Sequence, residues 1–261
     1  MKNFILSLFV LTGIICHSKN KNLVNITIND SIRIVKKAIK NYENGIFQNE
    51  EVLTYTYENG LVSKIVTTTN ENVITEDIAI KYENGKLKEL LIIYPYAQYK
   101  KGDKTLTQLE SIMNIVYNYE NDLIKSATGY ENNKIRQLDY YFYNTSKLVI
   151  RKKSKSNDGR SNNTEYTYDD EHNLLKRKES KTSDSYKNYD DKRNPFDLVF
   201  PEAYLKISAM SKNNFKSSNS DNNSYTYEYE YNSNNYPTKI IQKSGKKIKS
   251  ETIIEYASNL N

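Results

Sequence analysis

One short unit recurs along the chain and dictates what it can fold into: a tyrosine, an acidic residue, an asparagine usually followed by glycine, and an aliphatic residue that opens the next run. Clear copies are Tyr42-Glu43-Asn44-Gly45-Ile46, Tyr57-Glu58-Asn59-Gly60-Leu61, Tyr82-Glu83-Asn84-Gly85 and Tyr119-Glu120-Asn121-Asp122-Leu123. Asn-Gly between β-rich runs is a strong hairpin signal, because a type I′ turn needs positive φ at both central residues. Each copy therefore predicts a hairpin tip. Degenerate copies begin at Tyr130, Tyr143, Tyr168 and Tyr231.

The flanking runs have the period of strands. From Tyr225 to Tyr231, four tyrosines alternate with Thr226, Glu228 and Glu230, which places the rings on one face and the polar groups on the other. Helical periodicity is poor almost everywhere. Two strands per tip give about 14 to 16 strands, and at about 4.8 Å per strand a flat sheet would be roughly 70 Å wide. Sheets that wide curl, split or close. The expectation is an all-β fold: a large, strongly curved antiparallel meander, an open or half barrel, with at most one or two short helices. Residues 154–164 and 212–224, rich in Ser and Asn, read as mobile loops. After Pro201, the stretch Glu202 to Met210 reads as one short helix that plugs or crosses the sheet.

The chain opens Met1-Lys2-Asn3 and then runs apolar from Phe4 to Ile15, the form of a secretory leader and too short to span a bilayer. The single cysteine, Cys16, stands at the end of that run, where a lipoprotein signal places the thiol that is lipidated. Ile15 departs from the small residue usual before it. The competing reading is cleavage after Ser18, with Cys16 and Ser18 in A-x-A spacing. The division expected is a signal peptide over 1–15, a lipid attachment and tether over 16–30, and one β-meander domain over 31–261. The partners implied are a membrane, reached through the N-terminal lipid, and a glycan or an envelope protein. The place is the cell envelope, with the outer membrane favoured and the domain periplasmic or surface-exposed. A net charge of +6 is spread as interleaved Lys and Glu, which describes a solvated surface and not a nucleic-acid footprint.

The repeated unit resembles the YD-type repeats of bacterial cell-surface proteins. In order, Tyr189 to Phe196 (YDDKRNPF), Ser211 to Asn214 (SKNN) and Tyr225 to Ile241 (YTYEYEYNSNNYPTKII) resemble a family of Bacteroidetes lipoproteins of unknown function described as having a porin-like fold. The resemblance implies a lipid-anchored, β-rich envelope protein and supplies no catalytic residues. A barrel that spans the outer membrane is disfavoured, since the strands alternate Tyr or Ile with Lys and Glu and leave no continuous lipid-facing band.

Chemistry-bearing patterns are scarce. His172 stands beside Asp169, Asp170 and Glu171, a set that reads as a polar turn before it reads as a metal site or a base. Asp190 and Asp191 are adjacent, so they do not establish a carboxylate pair across a cleft. Asn157-Asp158-Gly159 lacks the spaced ligands of a calcium loop. No catalytic residue, metal site or cofactor is expected, and the chain reads as a non-enzymatic binding module that uses a curved, Tyr-rich sheet. Among 24 tyrosines, Tyr94, Tyr96 and Tyr99 around Pro95 are the candidate ligand-binding residues. The alternative is a structural or assembly component that docks other envelope proteins through hairpin tips and sheet edges.

Overall fold

The computed structural model describes residues 32–99, 106–221 and 223–258, so the leader, Cys16 and the tether lie outside the described residues. The first eight strands are β1 (Ile32–Glu43), β2 (Ile46–Glu58), β3 (Leu61–Thr69), β4 (Ile74–Glu83), β5 (Lys86–Tyr99), β6 (Leu106–Glu120), β7 (Leu123–Glu131) and β8 (Lys134–Tyr143). They are followed by β9 (Val149–Ser156), β10 (Ser161–Tyr168), β11 (Leu174–Glu179), β12 (Thr182–Arg193), β13 (Asn213–Ser220), β14 (Asn223–Tyr231), β15 (Pro237–Ser244) and β16 (Lys247–Ser258). Every strand pairs antiparallel with its sequence neighbours, and β1 pairs with β16 to close a barrel.

Closure corrects the expected open or half barrel. The seam runs from Ile32 opposite Ser258 to Asn41 opposite Ser250. Inside it, Ile34, Ile39 and Ile254 join one core; outside it, Lys36 Nζ meets Glu255 Oε1 at 3.1 Å. A free β1 or β16 would leave a row of unpaired backbone groups, which closure removes. The sequence reading did not find the seam because its partners stand more than 200 residues apart and no turn signal joins them.

The turns explain the repeat. Asn44 and Gly45, Asn59 and Gly60, Asn84 and Gly85, Asn121 and Asp122, and Asn132 and Asn133 all have positive φ, as two-residue type I′ tips require. The degenerate copies at Tyr143, Tyr168 and Tyr231 share a longer turn. Asn144, Asp169 and Asn232 each accept backbone N–H bonds from within the loop, and Lys147, His172 and Asn235 take the left-handed position with φ of 60°, 69° and 64°. His172 is thus a turn residue.

After most tips at one rim, the strand that leaves the turn carries a β-bulge: Ser63, Lys88, Lys125, Ile150, Leu175 and Thr238 are the extra residues, and Val35 occupies the same place at the start of β1. The bulge resets the alternation, so inward residues follow the spacing seen in Ile34, Lys37, Ile39 and again in Leu87, Leu90, Ile92. It also disturbs the ladder beside the carbonyl that precedes it. Tip tyrosines take those carbonyls. Tyr57 donates to Ile34 O, Tyr119 to Leu87 O, Tyr143 to Ile124 O, Tyr168 to Val149 O and Tyr256 to Pro237 O at 2.6–2.8 Å, and Tyr189 donates to Leu174 O. Tyr229 makes the equivalent bond to Phe215 O at 2.7 Å. Seven of the eight odd-to-even hairpins are latched in this way; in β3–β4 the Tyr82 hydroxyl is buried and has no hydrogen-bond partner among the described residues.

Outside, cross-strand ion pairs cover the wall: Lys64 with Asp77 at 2.9 Å, Lys81 with Glu89 at 3.2 Å, Lys239 with Glu251 at 2.8 Å and Lys243 with Glu228 at 2.6 Å. A membrane-spanning barrel would carry its apolar band at those positions.

Between β12 and β13 the chain turns into the lumen as a 3₁₀ turn (Pro195–Leu198) and a short helix, α1 (Glu202–Ile207). The expected plugging helix is therefore present. Phe196, Val199, Phe200, Leu205, Ile207 and Met210 merge with Leu53, Tyr55, Val62, Ile65 and Ile92 from the wall into one buried cluster. Lys37 Nζ lies 5.0 Å from the centre of the Phe196 ring. The supposed loops 154–164 and 212–224 are largely strand, in β9, β10, β13 and β14. Their Ser and Asn residues look like loop because they face a polar part of the lumen and not a dry core.

Replacing Tyr143 by Phe is expected to destabilise the barrel by about 1–2 kcal/mol, because a carbonyl loses its donor. Tyr82→Phe, which removes no bond, is expected to stay within about 0.5 kcal/mol. Urea melts of the two variants test this, and equal losses at both sites would exclude the latch as the cause.

A second test concerns Asp197, whose carboxyl is pushed up to about 6 by burial, against the pull of Arg193 Nη2 at 3.3 Å. Between about pH 4 and pH 6 the folded chain holds a proton that the unfolded chain has released, so this group's contribution to stability is lost as pH rises through that window. Asp197→Asn removes the slope, and the variant should gain about 1–2 kcal/mol over the parent between pH 4 and pH 7. Melts across that range would show the reverse trend if the Arg193 pair dominated.

Candidate ligand-binding lumen

The insert does not fill the barrel evenly. Against β1–β5 and β16 it packs dry, whereas on the side of β8–β12 it leaves a cavity of about 680 Å³. That volume lies within the roughly 300–1,000 Å³ of small-molecule sites. Its floor is the end of α1 and the residues after it, Tyr204 and Ile207 to Ala209. Its upper wall reaches the rim where β9 turns to β10 and β11 to β12, through Ser156, Arg160, Ser161 and Ser180. The cavity is thus closed at the rim from which the insert enters and approaches solvent at the other.

Strand alternation places each lining group. On β8, Gln137, Asp139 and Tyr141 share the inner face; on β9, Lys152, Ser154 and Ser156; on β10, Asn162 and Tyr166; on β11, Arg177 and Glu179. Several are already engaged. Gln137 Nε2 donates to Asp139 Oδ1 at 2.8 Å, Asn162 Nδ2 donates to Glu179, and Arg177 bridges Glu179 at 2.8 Å and Asp184 at 3.9 Å.

Two sets of tyrosines differ in how their hydroxyls are used. The latching set spends its hydroxyls on backbone carbonyls. Tyr117, Tyr141 and Tyr186 line the cavity, and among the described residues their hydroxyls make no hydrogen bond. Burial pushes all three phenols far above the usual range, so they stand as neutral groups able to donate and accept. Tyr117 and Tyr204 meet edge to face at 6.0 Å, which holds one ring against the floor.

The ordered motifs near the end of the chain are accounted for by the insert. Asp190 accepts from the Lys192 and Asn214 amides at 2.9 and 3.2 Å and from the Tyr231 hydroxyl. Asn194 caps the 3₁₀ turn by accepting from Phe196 N at 3.2 Å, and its Nδ2 donates to Asn214 Oδ1 at 3.1 Å. The Arg193 guanidinium lies 4.6 Å from the centre of the Tyr236 ring. These residues lock the plug to the wall; they do not face the cavity. Asp191 points to solvent and pairs with Lys192 at 3.4 Å.

Of the three tyrosines singled out from sequence, Tyr94 packs against the core with a buried hydroxyl, and the side chains of Tyr96 and Tyr99 lie outside the described residues. Sequence reasoning missed the cavity set. The available signal was the run of inward polar residues on β9–β11, set at the same alternation as the apolar rows of β1–β5. Asp158 closes a turn by pairing with Arg160 at 2.6 Å, and among the described residues no group of three or more His, Cys, Asp or Glu converges to hold a metal ion.

The mouth rim is itself uneven outside. Five consecutive hairpins at the mouth rim, from β15–β16 round to β7–β8, expose aliphatic or aromatic residues, among them Ile248, Ile46, Phe47, Ile74, Ile112 and Ile135. The tips beside the cavity are polar.

No family model matches the chain, and no curated protein matches it. Among solved structures, it is similar to a porin-like protein from Bacteroides uniformis at 11% identity, covering 87% of this chain and 98% of that one, with a TM-score of 0.44. It is also similar to a porin-like protein from Bacteroides vulgatus at 10% identity, covering 86% of this chain and 98% of that one, with a TM-score of 0.41.

Proposed function

We propose that this chain is a non-enzymatic envelope protein that binds a polyhydroxylated ligand, a saccharide, inside its half-plugged barrel. The observation that carries this reading is the lumen cavity, where aromatic rings with unspent hydroxyls stand beside a collar of acceptors. A carboxylate has about four acceptor sites, so Asp139 and Glu179 keep acceptor capacity beyond the bonds from Gln137, Asn162 and Arg177, which a ligand rich in O–H donors can fill. Tyrosine rings give such a ligand flat apolar faces to pack on. The site the notched lumen offers replaces the open sheet surface that a half barrel would have presented.

The charged outer wall supports a domain held at the membrane by a tether and not by its strands. Cys16 is the attachment point in this reading. The Cys16→Ser variant should move from the detergent-extracted membrane fraction to the soluble fraction of cells; a barrel that still required detergent would defeat the tether.

Binding is tested by titrating the folded domain against a panel of oligosaccharides in a calorimeter. Ser154→Trp places a large ring on the inner face of β9 and is expected to reduce affinity at least tenfold with little change in melting temperature. A domain that binds no member of the panel, or a Ser154→Trp variant that binds as well as the parent, would exclude the lumen as a saccharide site.

A further inference from the structure

The cavity is charged, yet its charges are not equally available. Arg177 is spent on Glu179 and Asp184, and Arg160 on Asp158 at 2.6 Å. The remaining cation of the lining is Lys152, which among the described residues makes no hydrogen bond or ion pair. It stands on the inner row of β9, directly across the ladder from Tyr141 on one side and Thr164 on the other, one inward step from Ser154. An inward ammonium group without a partner among the described residues, in a cavity lining whose other two cations, Arg160 and Arg177, are paired with carboxylates, is an unfilled anion position.

We infer that the lumen takes an acidic saccharide, one whose ring bears a single carboxylate, and that Lys152 holds that carboxylate. This rests on the saccharide reading above and sharpens it. The anion is a carboxylate and not a phosphate dianion for an electrostatic reason. Arg177 faces two acids, Glu179 and Asp184, and Asp139 lies in the same lining, so the two cations Lys152 and Arg177 stand among three carboxylates, and a doubly charged group would meet repulsion that a single charge opposite Lys152 does not. The ligand's hydroxyls would then face Asp139, Gln137 and Glu179, while its ring packs against Tyr141, the cross-strand neighbour of Lys152. Lys152 is a point charge on a flexible stem and suits a carboxylate approached from several angles.

The experiment compares the methyl glycoside of galacturonic acid, which carries one carboxylate, with the methyl glycoside of galactose, which carries a primary alcohol in its place. Titrations use the parent domain, Lys152→Gln and Lys152→Arg, each checked by its thermal melt. The parent should bind the acidic sugar at least tenfold more tightly than the neutral one. Lys152→Gln should abolish that preference, and Lys152→Arg should keep it because it keeps the charge. Equal binding of both sugars by the parent overturns the inference and leaves the saccharide reading intact. A preference that survives in Lys152→Gln, or loss of both sugars in a Lys152→Gln domain with an unchanged melt, also overturns it. Failure of the parent to bind either sugar removes the saccharide reading itself.

Discussion

The barrel depends on an exchange between bulges and tyrosine hydroxyls. A bulge gives the strand after each tip the bend and twist that a closed sheet needs, but it leaves a carbonyl with poor ladder geometry. A buried carbonyl without a donor costs about 1–3 kcal/mol. The tyrosine at the end of the next strand removes that cost from inside, with its ring in the core and its oxygen at the rim. Phenylalanine would fill the same space and leave the carbonyl bare. Serine would make the bond and leave a hole.

Once the wall is closed, its lumen has to be filled, and a wall of mixed Tyr, Ser and Ile cannot fill it alone. The insert between β12 and β13 does so on one side only. Where the inward rows are aliphatic, as on β1, β3 and β5, Phe196, Phe200 and Leu205 complete a dry core. Where they are Ser, Asn, Lys and Arg, as on β9 to β11, no apolar partner could be buried against them without stranding polar groups. The cavity is what that composition leaves behind. The lock of Asp190, Asn194, Asn214 and Tyr231 then decides where the plug stops.

Much of the wall was legible because hairpin chemistry is local. Asn44-Gly45, Asn59-Gly60 and Asn84-Gly85 announce their turns within two residues, and Tyr225 to Tyr231 announces its faces within seven. Bulges such as Lys88 and Lys125 were not legible, since they differ from the next strand residue only in where the partner strand pairs. The seam between β1 and β16 was hidden for the same reason on a larger scale. The cavity escaped because Ser154, Asn162 and Ser180 carry the composition of a loop; only their register, which the sequence does not display, makes them wall.

An even number of strands has a consequence for direction. β1 starts and β16 ends at one rim, and the insert enters from that same rim. The outer ends of β1 and β16, Ile32 and Ser258, therefore lie at the plugged end, and the mouth of the cavity looks the other way. A barrel of this parity is a cup whose foot gathers both ends of the wall and the entry of the plug, and whose lip is left to the hairpin tips around the cavity.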